Sequence, residues 1–281
     1  MSGAVDWLAV GDIAEERSAG DHASIGGGVG RLVAHASGLK ASIAVVAKLG
    51  GDDAGRRLRD SLSHLDVDLQ WLRSAPGIAT TSWVNRDGSA QDRRVERGAD
   101  LGLRLDELPP MTVRARLTVV GGYSLSMEPA RSAVMGALST AAARGGRAAL
   151  LLDAELLWWT NARMTRRVLE PALAASDSVA LTSADARILF GPLSGRQAVR
   201  AVAQLGPRIV YLEQEDGSLL VREGGRLHAI PAAGKGAAAA DPAAGPAAFW
   251  VALAHGQTVE KAAAASLRYL GSRRRLSAAR R

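Results

Sequence analysis

Several glycine-rich segments of this sequence lie close to carboxylates, and that combination is typical of sites that bind phosphate. Glycines let backbone N–H groups approach an anion closely, and a helix that begins at the same place adds a favourable dipole. The cluster at residues 26–30 does not complete the dinucleotide pattern Gly-x-Gly-x-x-Gly, because Arg31 stands where the last glycine is required. Lys235 does not complete the Gly-Lys-Ser/Thr pattern of P-loops, because Gly236 follows it. Two common phosphate signatures are therefore excluded.

Thiol and metal chemistry have little support in the sequence. There is no cysteine, which excludes disulfides, thiolate catalysis and cysteine-ligated zinc. The five histidines form no His-x-x-x-His pair and no cluster with glutamate. We therefore predict no protein-held metal centre.

Charge and composition narrow the possible partners. The chain has 281 residues, of which 47% are hydrophobic and 22% charged, enough apolar sequence for a substantial core. Its net charge of +7 is concentrated at one end: residues 268–281 hold six arginines and no acid, so the other 267 residues carry 29 cations against 28 anions. A nearly neutral body predicts no nucleic-acid partner. No apolar run is long enough to span a membrane, so we predict a cytoplasmic protein with no membrane partner.

Apolar runs alternate with amphipathic segments along most of the chain. Runs such as residues 7–10 and 42–48 predict strands buried on both faces, and predicted helices follow them. This alternation predicts an α/β fold with a doubly wound sheet and flanking helices. Residues 79–98 interrupt it and predict a β-hairpin at one edge of the sheet. Residues 272–281 follow Gly271, a predicted helix end, and form a predicted basic C-terminal tail.

The order of the motifs resembles the ribokinase-like (PfkB) family of carbohydrate kinases over residues 6–270. The matching segments are Val10-Gly11-Asp12, the glycine cluster 26–30, Gly50-x-Asp52-x-x-Gly55, Arg97-Gly98-Ala99-Asp100 and Gly121-Gly122-Tyr123. None of them is specific alone, whereas their order and spacing together are. The resemblance implies a ribokinase-like α/β domain over residues 1–271. It also implies a sugar or nucleoside beneath a small β lid, and ATP at the carboxyl edge of the sheet.

The lid that the resemblance implies comes from about residues 13–25 and 79–98, and we predict that it is reduced. Only nine residues separate Glu16 from Gly26, which is too few for the strand pair of many family members. We expect one short strand or a loop there. The second lid segment carries Asp87-Gly88, which has the turn chemistry of a β-hairpin.

The functional positions of the family can be carried onto this sequence one residue at a time. For the substrate, the resemblance implies binding by Asp12, Glu16, Gly27, Arg31 and Asp241. For the nucleotide, it implies binding by Asp185, Gln214, Gly217 and Gly245. Some of these depart from the family in type, since Arg31 replaces an asparagine and Gln214 a glycine. Arg31 would favour an anionic ligand, and an internal ion pair with Glu16 is the equally weighted alternative. Asp185 stands for the acid of an Asn-x-x-Glu motif, where it is either a magnesium ligand through water or a solvated acid at a helix start.

The catalytic segment departs furthest from the family. Its pattern Asp-Thr-x-Gly-Ala-Gly-Asp-x-Phe aligns without a gap from Asp241 to Phe249, and Ala247 then takes the position of the catalytic aspartate. No catalytic residue is therefore predicted. Pro246 replaces a glycine of the anion hole and removes one backbone N–H. Residues 153–157 also lose the asparagine and arginine of a further family motif.

Three interpretations follow. The first is a catalytically impaired family member that binds a sugar-like or nucleoside-like ligand, or acts through a protein partner or homodimer. The second is an active ATP-dependent sugar or nucleoside kinase with an atypical catalytic base, which would use Mg and ATP. The third is a different reaction in the same pocket. Loss of both phosphate-site groups favours the first.

Overall fold

The computed structural model describes residues 5–18, 23–85, 93–110, 114–152, 162–232 and 241–278. The predicted lid turn Asp87-Gly88 and the departing motif at residues 153–157 lie outside the described residues. The chain divides into two compact units, Met1–Gly146 and Arg147–Arg281. Each unit contains parallel strands flanked by helices.

Unit one is built on four strands that pair in parallel. They are β1 (Val5–Val10), β4 (Ile43–Gly50), β5 (Val67–Ala75) and β8 (Ala115–Gly121), in the order β8, β1, β4, β5. β4 is almost wholly buried and rich in alanine and valine, as expected for a strand covered on both faces. The helices are α1 (Gly28–Gly38), α2 (Asp53–Ser63) and α3 (Ala130–Ala143), and 3₁₀ turns lie at Ala99–Gly102, Leu105–Glu107 and Tyr123–Ser126.

A second sheet in unit one forms the predicted lid. Its strands are β2 (Ala14–Ser18), β3 (Ala23–Gly26), β6 (Ser82–Asn85) and β7 (Arg93–Glu96), in the order β3, β2, β6, β7. The antiparallel pairing of β6 with β7 confirms the predicted hairpin. The prediction of one strand or a loop between Glu16 and Gly26 is wrong, because β2 and β3 pair antiparallel. β2 begins at Ala14, before Glu16, so the pair uses residues that the sequence count left out.

Unit two combines three parallel strands with an antiparallel extension. The strands are β9 (Arg147–Leu151), β10 (Ser178–Thr182), β11 (Ile209–Glu213), β12 (Leu219–Glu223) and β13 (Arg226–Ile230), paired in that order. The helices are α4 (Ala162–Ala174), α5 (Ser183–Phe190), α6 (Gly195–Ala203), α7 (Ala244–Ala254) and α8 (Val259–Ala278). Among the described helices of the chain, none is both long and apolar enough to cross a membrane.

The last helix does not end at Gly271, as the sequence analysis predicted. α8 continues through Gly271 to Ala278, so the first part of the predicted tail is helical. A glycine inside a helix costs only about 1 kcal/mol relative to alanine. The arginine, leucine and alanine residues that follow it favour helix, so the helix continues.

Candidate functional site

Two of the predicted substrate residues, Asp12 and Gly27, meet where β1 gives way to α1. Asp12 is fully buried, and its Oδ2 accepts a hydrogen bond from Gly28 N at 2.5 Å while its carbonyl accepts one from Gly30 N at 3.1 Å. Gly27 has a φ of 76°, and a Cβ there would lie 2.8 Å from the Asp12 carbonyl oxygen. Only glycine fits that position. The carboxylate of Asp12 therefore fixes the start of α1.

The other two substrate candidates in unit one, Glu16 and Arg31, form an ion pair. Arg31 Nη1 lies 3.5 Å from Glu16 Oε2, with side chains 8% and 31% exposed. Arg31 belongs to the first turn of α1 and Glu16 to lid strand β2, so the pair joins the helix to the lid.

An aromatic pair, which the sequence analysis missed, lies between the lid and the parallel strands. Trp83 of β6 packs edge-on against Tyr123 with ring centroids 5.4 Å apart, and both side chains are buried. The Arg97 guanidinium lies 5.6 Å from the Tyr123 ring centroid. Edge-to-face aromatic packing and cation–π contact both contribute beyond buried area. Residues 40 apart in the sequence give no local signal of such a pair.

Glu15, next to Glu16, anchors the lid in the opposite direction. Alternate residues of a strand face opposite sides, and Glu15 is turned toward α2, where Arg57 donates to it at 2.6 and 2.9 Å. Arg17 Nε also donates to Glu15, at 2.5 Å. The Glu15 side chain is only 1% exposed. A carboxylate buried between two arginines ties β2 to the body of unit one, and the sequence analysis did not identify it.

In unit two, Asp185 acts as a helix cap. Its Oδ2 accepts hydrogen bonds from Thr182 N at 2.9 Å and from Thr182 Oγ1 at 2.7 Å, and the Thr182 hydroxyl accepts from Asp185 N at 3.2 Å. This reciprocal arrangement is a capping box at the start of α5. Asp185 is fully buried. Its predicted role beside a magnesium ion has a structural competitor in this cap.

Gln214 and Gly217 build the turn between β11 and β12. Gln214 N donates to Ser218 O at 2.9 Å, and its side-chain Nε2 donates to Ser218 Oγ at 2.6 Å. Gly217 has a φ of 78°, which glycine adopts without strain. A cavity of about 310 Å³ opens beside this turn, lined in part by Ser183, Arg187, Gly195, Leu212 and Gln214.

The start of α7 holds Gly245, Pro246 and Ala247. Pro246 is the third helical residue, so its missing N–H leaves the helix intact while withholding one donor from the helix end. Ala247 is fully buried, and its N–H is used by the carbonyl of Ala243 at 3.0 Å. Asp241 Oδ1 accepts from Ala243 N at 3.0 Å just before the helix.

The side chain of Tyr211 in β11 packs against the start of α7. Its hydroxyl lies 2.9 Å from Ser266 Oγ, which donates to the Gly245 carbonyl at 2.9 Å. Burial, followed by the charge of Glu213, raises the pKa of Tyr211 above its usual range, so the hydroxyl stays protonated. Leu212 lines the cavity described above, and adjacent strand residues face opposite sides. The predicted nucleotide residues Gln214 and Gly245 therefore lie on opposite faces of β11.

A model of the pfkB family of carbohydrate kinases matches residues 15–268. This chain belongs to that family. A fructokinase from Klebsiella pneumoniae is 28% identical over 223 residues, which are 73% of this chain and 72% of the relative.

The fold is likewise shared with solved structures of PfkB kinases. A PfkB protein from Polaromonas sp. JS666 matches with a TM-score of 0.83 at 15% identity, over 95% of each chain. Aminoimidazole riboside kinase from Salmonella enterica, crystallised with aminoimidazole riboside and an ATP analogue, matches with a TM-score of 0.81 at 18% identity, over 93% of this chain and 90% of that one. These similarities confirm the predicted ribokinase-like α/β fold.

In unit two, the side chains that the resemblance assigns to Mg·ATP also hold the local structure. The Asp185 carboxylate is engaged by Thr182, and the Gln214 amide donates within its own turn. Pro246 has no N–H to donate, and Ala247 has no carboxylate. Anion binding at a helix start depends on free N–H groups, and this one has fewer than the family pattern.

Proposed function

We propose that this PfkB-family protein is catalytically impaired and acts by binding. The observation that carries the proposal is at the start of α7, where Ala247 takes the aligned position of the family's catalytic aspartate and Pro246 that of an anion-hole glycine. Both positions belong to one helical turn. The impairment would therefore affect the two groups that act together on the transferred phosphoryl group.

The size of the expected impairment follows from what those groups contribute. Phosphoryl transfer relies on positioning, on charge stabilisation and on a group that accepts the proton of the attacking hydroxyl. A general base contributes about 10²- to 10⁴-fold, and one anion-hole donor about 10²- to 10³-fold. Loss of both would therefore lower the rate by about 10⁴- to 10⁷-fold if the two effects multiply.

The ligand that we propose is a sugar-like or nucleoside-like molecule held in unit one, beneath the lid. Asp12 and the Arg31–Glu16 pair provide carboxylate and guanidinium groups suited to hydroxyl-rich ligands. A protein partner or a second copy of the chain is the other route by which an impaired kinase would act. Neither needs chemistry at α7.

An active ATP-dependent sugar or nucleoside kinase is the second candidate. The 28% identity to a fructokinase favours it, and so does the retention of Asp241 and Asp185. Such an enzyme would use Mg and ATP and a base other than residue 247. Asp241 is the carboxylate closest in sequence to that position.

A thermal-shift screen of the purified protein separates the two candidates. The screen uses neutral sugars, nucleosides, sugar phosphates and Mg·ATP, each in excess. A ligand present at 100 times its dissociation constant stabilises a folded protein by about 2.7 kcal/mol. Stabilisation by sugars or nucleosides without stabilisation by Mg·ATP supports the proposal. Stabilisation by Mg·ATP alone favours the kinase.

Arg31 gives the same screen a residue-level prediction. A guanidinium pairs bidentately with phosphate or carboxylate, so we expect phosphorylated sugars to stabilise the protein more than their neutral forms. Arg31→Ala should abolish that difference, and Arg31→Lys should reduce it, because lysine keeps the charge without the fork. Equal stabilisation by neutral and phosphorylated sugars, unchanged in Arg31→Ala, would mean that Arg31 only pairs with Glu16.

A further inference from the structure

Residues 79–81, called here the crossing segment, carry the chain from the body of unit one into lid strand β6. The segment runs against three glycines of the two motifs Gly50-x-Asp52-x-x-Gly55 and Arg97-Gly98-Ala99-Asp100. A Cβ at Gly50 or Gly98 would lie closer than 3.0 Å to the backbone of the segment, and one at Gly55 would meet the Gly50 carbonyl and the Thr80 hydroxyl. Ala99 N also donates to Ala79 O, at 2.9 Å. The two motifs therefore form a tight slot around the base of the lid.

Two aspartates, one from each motif, hold consecutive threonines of the crossing segment. Asp52 Oδ1 accepts from Thr80 Oγ1 at 2.6 Å and from Gly55 N at 3.0 Å, and its Oδ2 accepts from Thr80 N at 3.0 Å. Asp100 Oδ1 accepts from the hydroxyl of Thr81. In the part of the chain that the structure describes, Asp100 Oδ2 is buried and has no hydrogen-bond partner. The two aspartate–threonine pairs therefore differ in hydrogen bonding: both carboxylate oxygens of Asp52 have donors, whereas only one oxygen of Asp100 has one among the described residues.

Thr81 connects this slot to both halves of the lid. Its hydroxyl accepts from Gly98 N at 2.7 Å, and its carbonyl accepts from Glu15 N of β2 at 2.9 Å. The next residue begins β6. Any movement of Thr81 away from Asp100 would therefore be passed to both β2 and β6.

The charges around Asp100 are mostly engaged elsewhere. Arg97, on its own segment, is the one cation that lowers its pKa, and its guanidinium lies over the Tyr123 ring. From β4, Lys48 donates to the Gly102 carbonyl and pairs with Glu107. From β2, the Glu15 carboxylate is paired with Arg57 and Arg17. From α3, Arg131 donates to the carbonyls of residues 125 and 126.

We propose that Asp100 is a proton-dependent latch, which holds the lid sheet against the rest of unit one when protonated and loosens it when ionised. As regulation of the proposed ligand site, this role rests on the proposed function, since the lid matters only to a molecule bound beneath it. Burying a neutral carboxylic acid in this slot costs less free energy than burying a carboxylate, because the carboxylate is charged and one of its oxygens has no hydrogen-bond donor in the described part of the chain. The free-energy cost of ionising Asp100 falls if the crossing segment shifts and water reaches the carboxylate.

The direction of the pH dependence follows from the two states of the lid. With the lid in place, burial raises the pKa of Asp100 to about 7. Hydrogen bonds from the Thr81 hydroxyl and nearby backbone N–H groups, and the charge of Arg97, lower this pKa but do not offset the burial. A solvated aspartate has a pKa of about 3.9. The closed lid therefore binds more protons, and its closing equilibrium falls about tenfold per pH unit between about 4 and 7. The lid is held at low pH and loosened as the pH rises.

Asp52 provides a matched control within the same slot. Burial acts to raise its pKa as well, but hydrogen bonds from the Thr80 side chain, from Thr80 N and from Gly55 N together lower it. Asp52 is therefore ionised throughout the range in which Asp100 titrates. Asp52→Asn changes the anchoring of Thr80 without changing the titration.

The test measures how strongly acrylamide quenches the fluorescence of Trp83, a fully buried residue of lid strand β6. Quenching is recorded from pH 5 to 8. The contribution of Trp83 is the difference between the wild type and the Trp83→Phe variant. Far-UV circular dichroism verifies that each protein is folded. In the wild type we expect quenching to rise with pH and level off near pH 7. Asp100→Asn should give low quenching at every pH, because the amide stays neutral, while Asp52→Asn should keep the pH response.

A second variant covers the possibility that Asp100→Asn does not fold. Thr81→Val removes a hydrogen bond that lowers the pKa of Asp100, so the pH at which quenching levels off should move upward. Quenching that is flat with pH in the wild type, or a pH response that persists in Asp100→Asn, would overturn the latch. The measurement uses neither ligand nor turnover, so it can fail while the proposed function stands, and the reverse also holds.

Discussion

Purified protein supplied with Mg·ATP and a broad panel of sugars and nucleosides is expected to form phosphorylated product far more slowly than about 1 s⁻¹, the low end of ordinary enzyme turnover. Ala247 has no lone pair to accept the hydroxyl proton, and Pro246 has no N–H to offer the developing phosphate charge. The combined loss is about 10⁴- to 10⁷-fold if the two effects multiply. Product is followed by mass spectrometry, with the Klebsiella pneumoniae fructokinase as the positive control.

Variants of the chain decide what a positive result would mean. Turnover near 1 s⁻¹ that survives both Asp241→Asn and Asp185→Asn would contradict the impaired reading, because a base outside the family pattern would then be at work. Turnover that disappears in Asp241→Asn alone would make Asp241 the missing base and establish the kinase. Ala247→Asp combined with Pro246→Gly should recover little activity, since Arg31 and Thr182, which stands at the asparagine position of the Asn-x-x-Glu motif, also depart from the family.

The strands that could be predicted from the sequence are those buried on both faces. β4 has an almost unbroken buried run and was predicted within two residues at each end. β5 and β13 were missed, and each is the terminal strand in the order of its unit. In β5 residues 67–71 alternate between half-buried and exposed, and only Leu72 and Ala75 are buried, while β13 has no buried residue. An edge strand is specified by its partner's backbone more than by its own apolar residues.

The site was predictable where one motif determines its own local geometry. The motifs of Asp12 and Gly27 were recognised from their order in the sequence, and the two residues meet where β1 gives way to α1. The substrate-binding role that the resemblance implies for them stays a prediction. The role of Asp185 could not be predicted in this way, because the sequence pattern of an acid at a helix start is the same for a ligand-binding residue and for a helix cap. The bonds from Arg57 to Glu15 span 42 residues. No spacing rule connects residues so far apart, so this contact needed the fold.

Gly245→Ala is expected to destabilise the protein by about 2 kcal/mol, within the usual range for overpacking a filled interior. A Cβ at Gly245 would lie closer than 3.0 Å to the Tyr211 hydroxyl. Tyr211 is fully buried, packs against Phe249 with ring centroids 5.2 Å apart, and hydrogen-bonds Ser266. It has no open space into which to move, so the start of α7 must shift instead. Denaturant unfolding monitored by fluorescence measures the change.

Gly195→Ala is the matched control, because a Cβ there would also lie closer than 3.0 Å to side-chain atoms, the Oε1 of Gln214 and the Cδ1 of Leu220. The Gln214 side chain lines an open cavity and can turn away at the cost of its hydrogen bond to Ser218, and the end of the Leu220 side chain must also shift. Both are ends of flexible side chains, so we expect a loss of about 1 kcal/mol or less, smaller than in Gly245→Ala. Alanine is the better helix former at both positions by about 1 kcal/mol. A larger loss in Gly245→Ala than in Gly195→Ala is therefore due to the rigidity of Tyr211. Equal stability of the two variants would mean that α7 is not held against β11 as described.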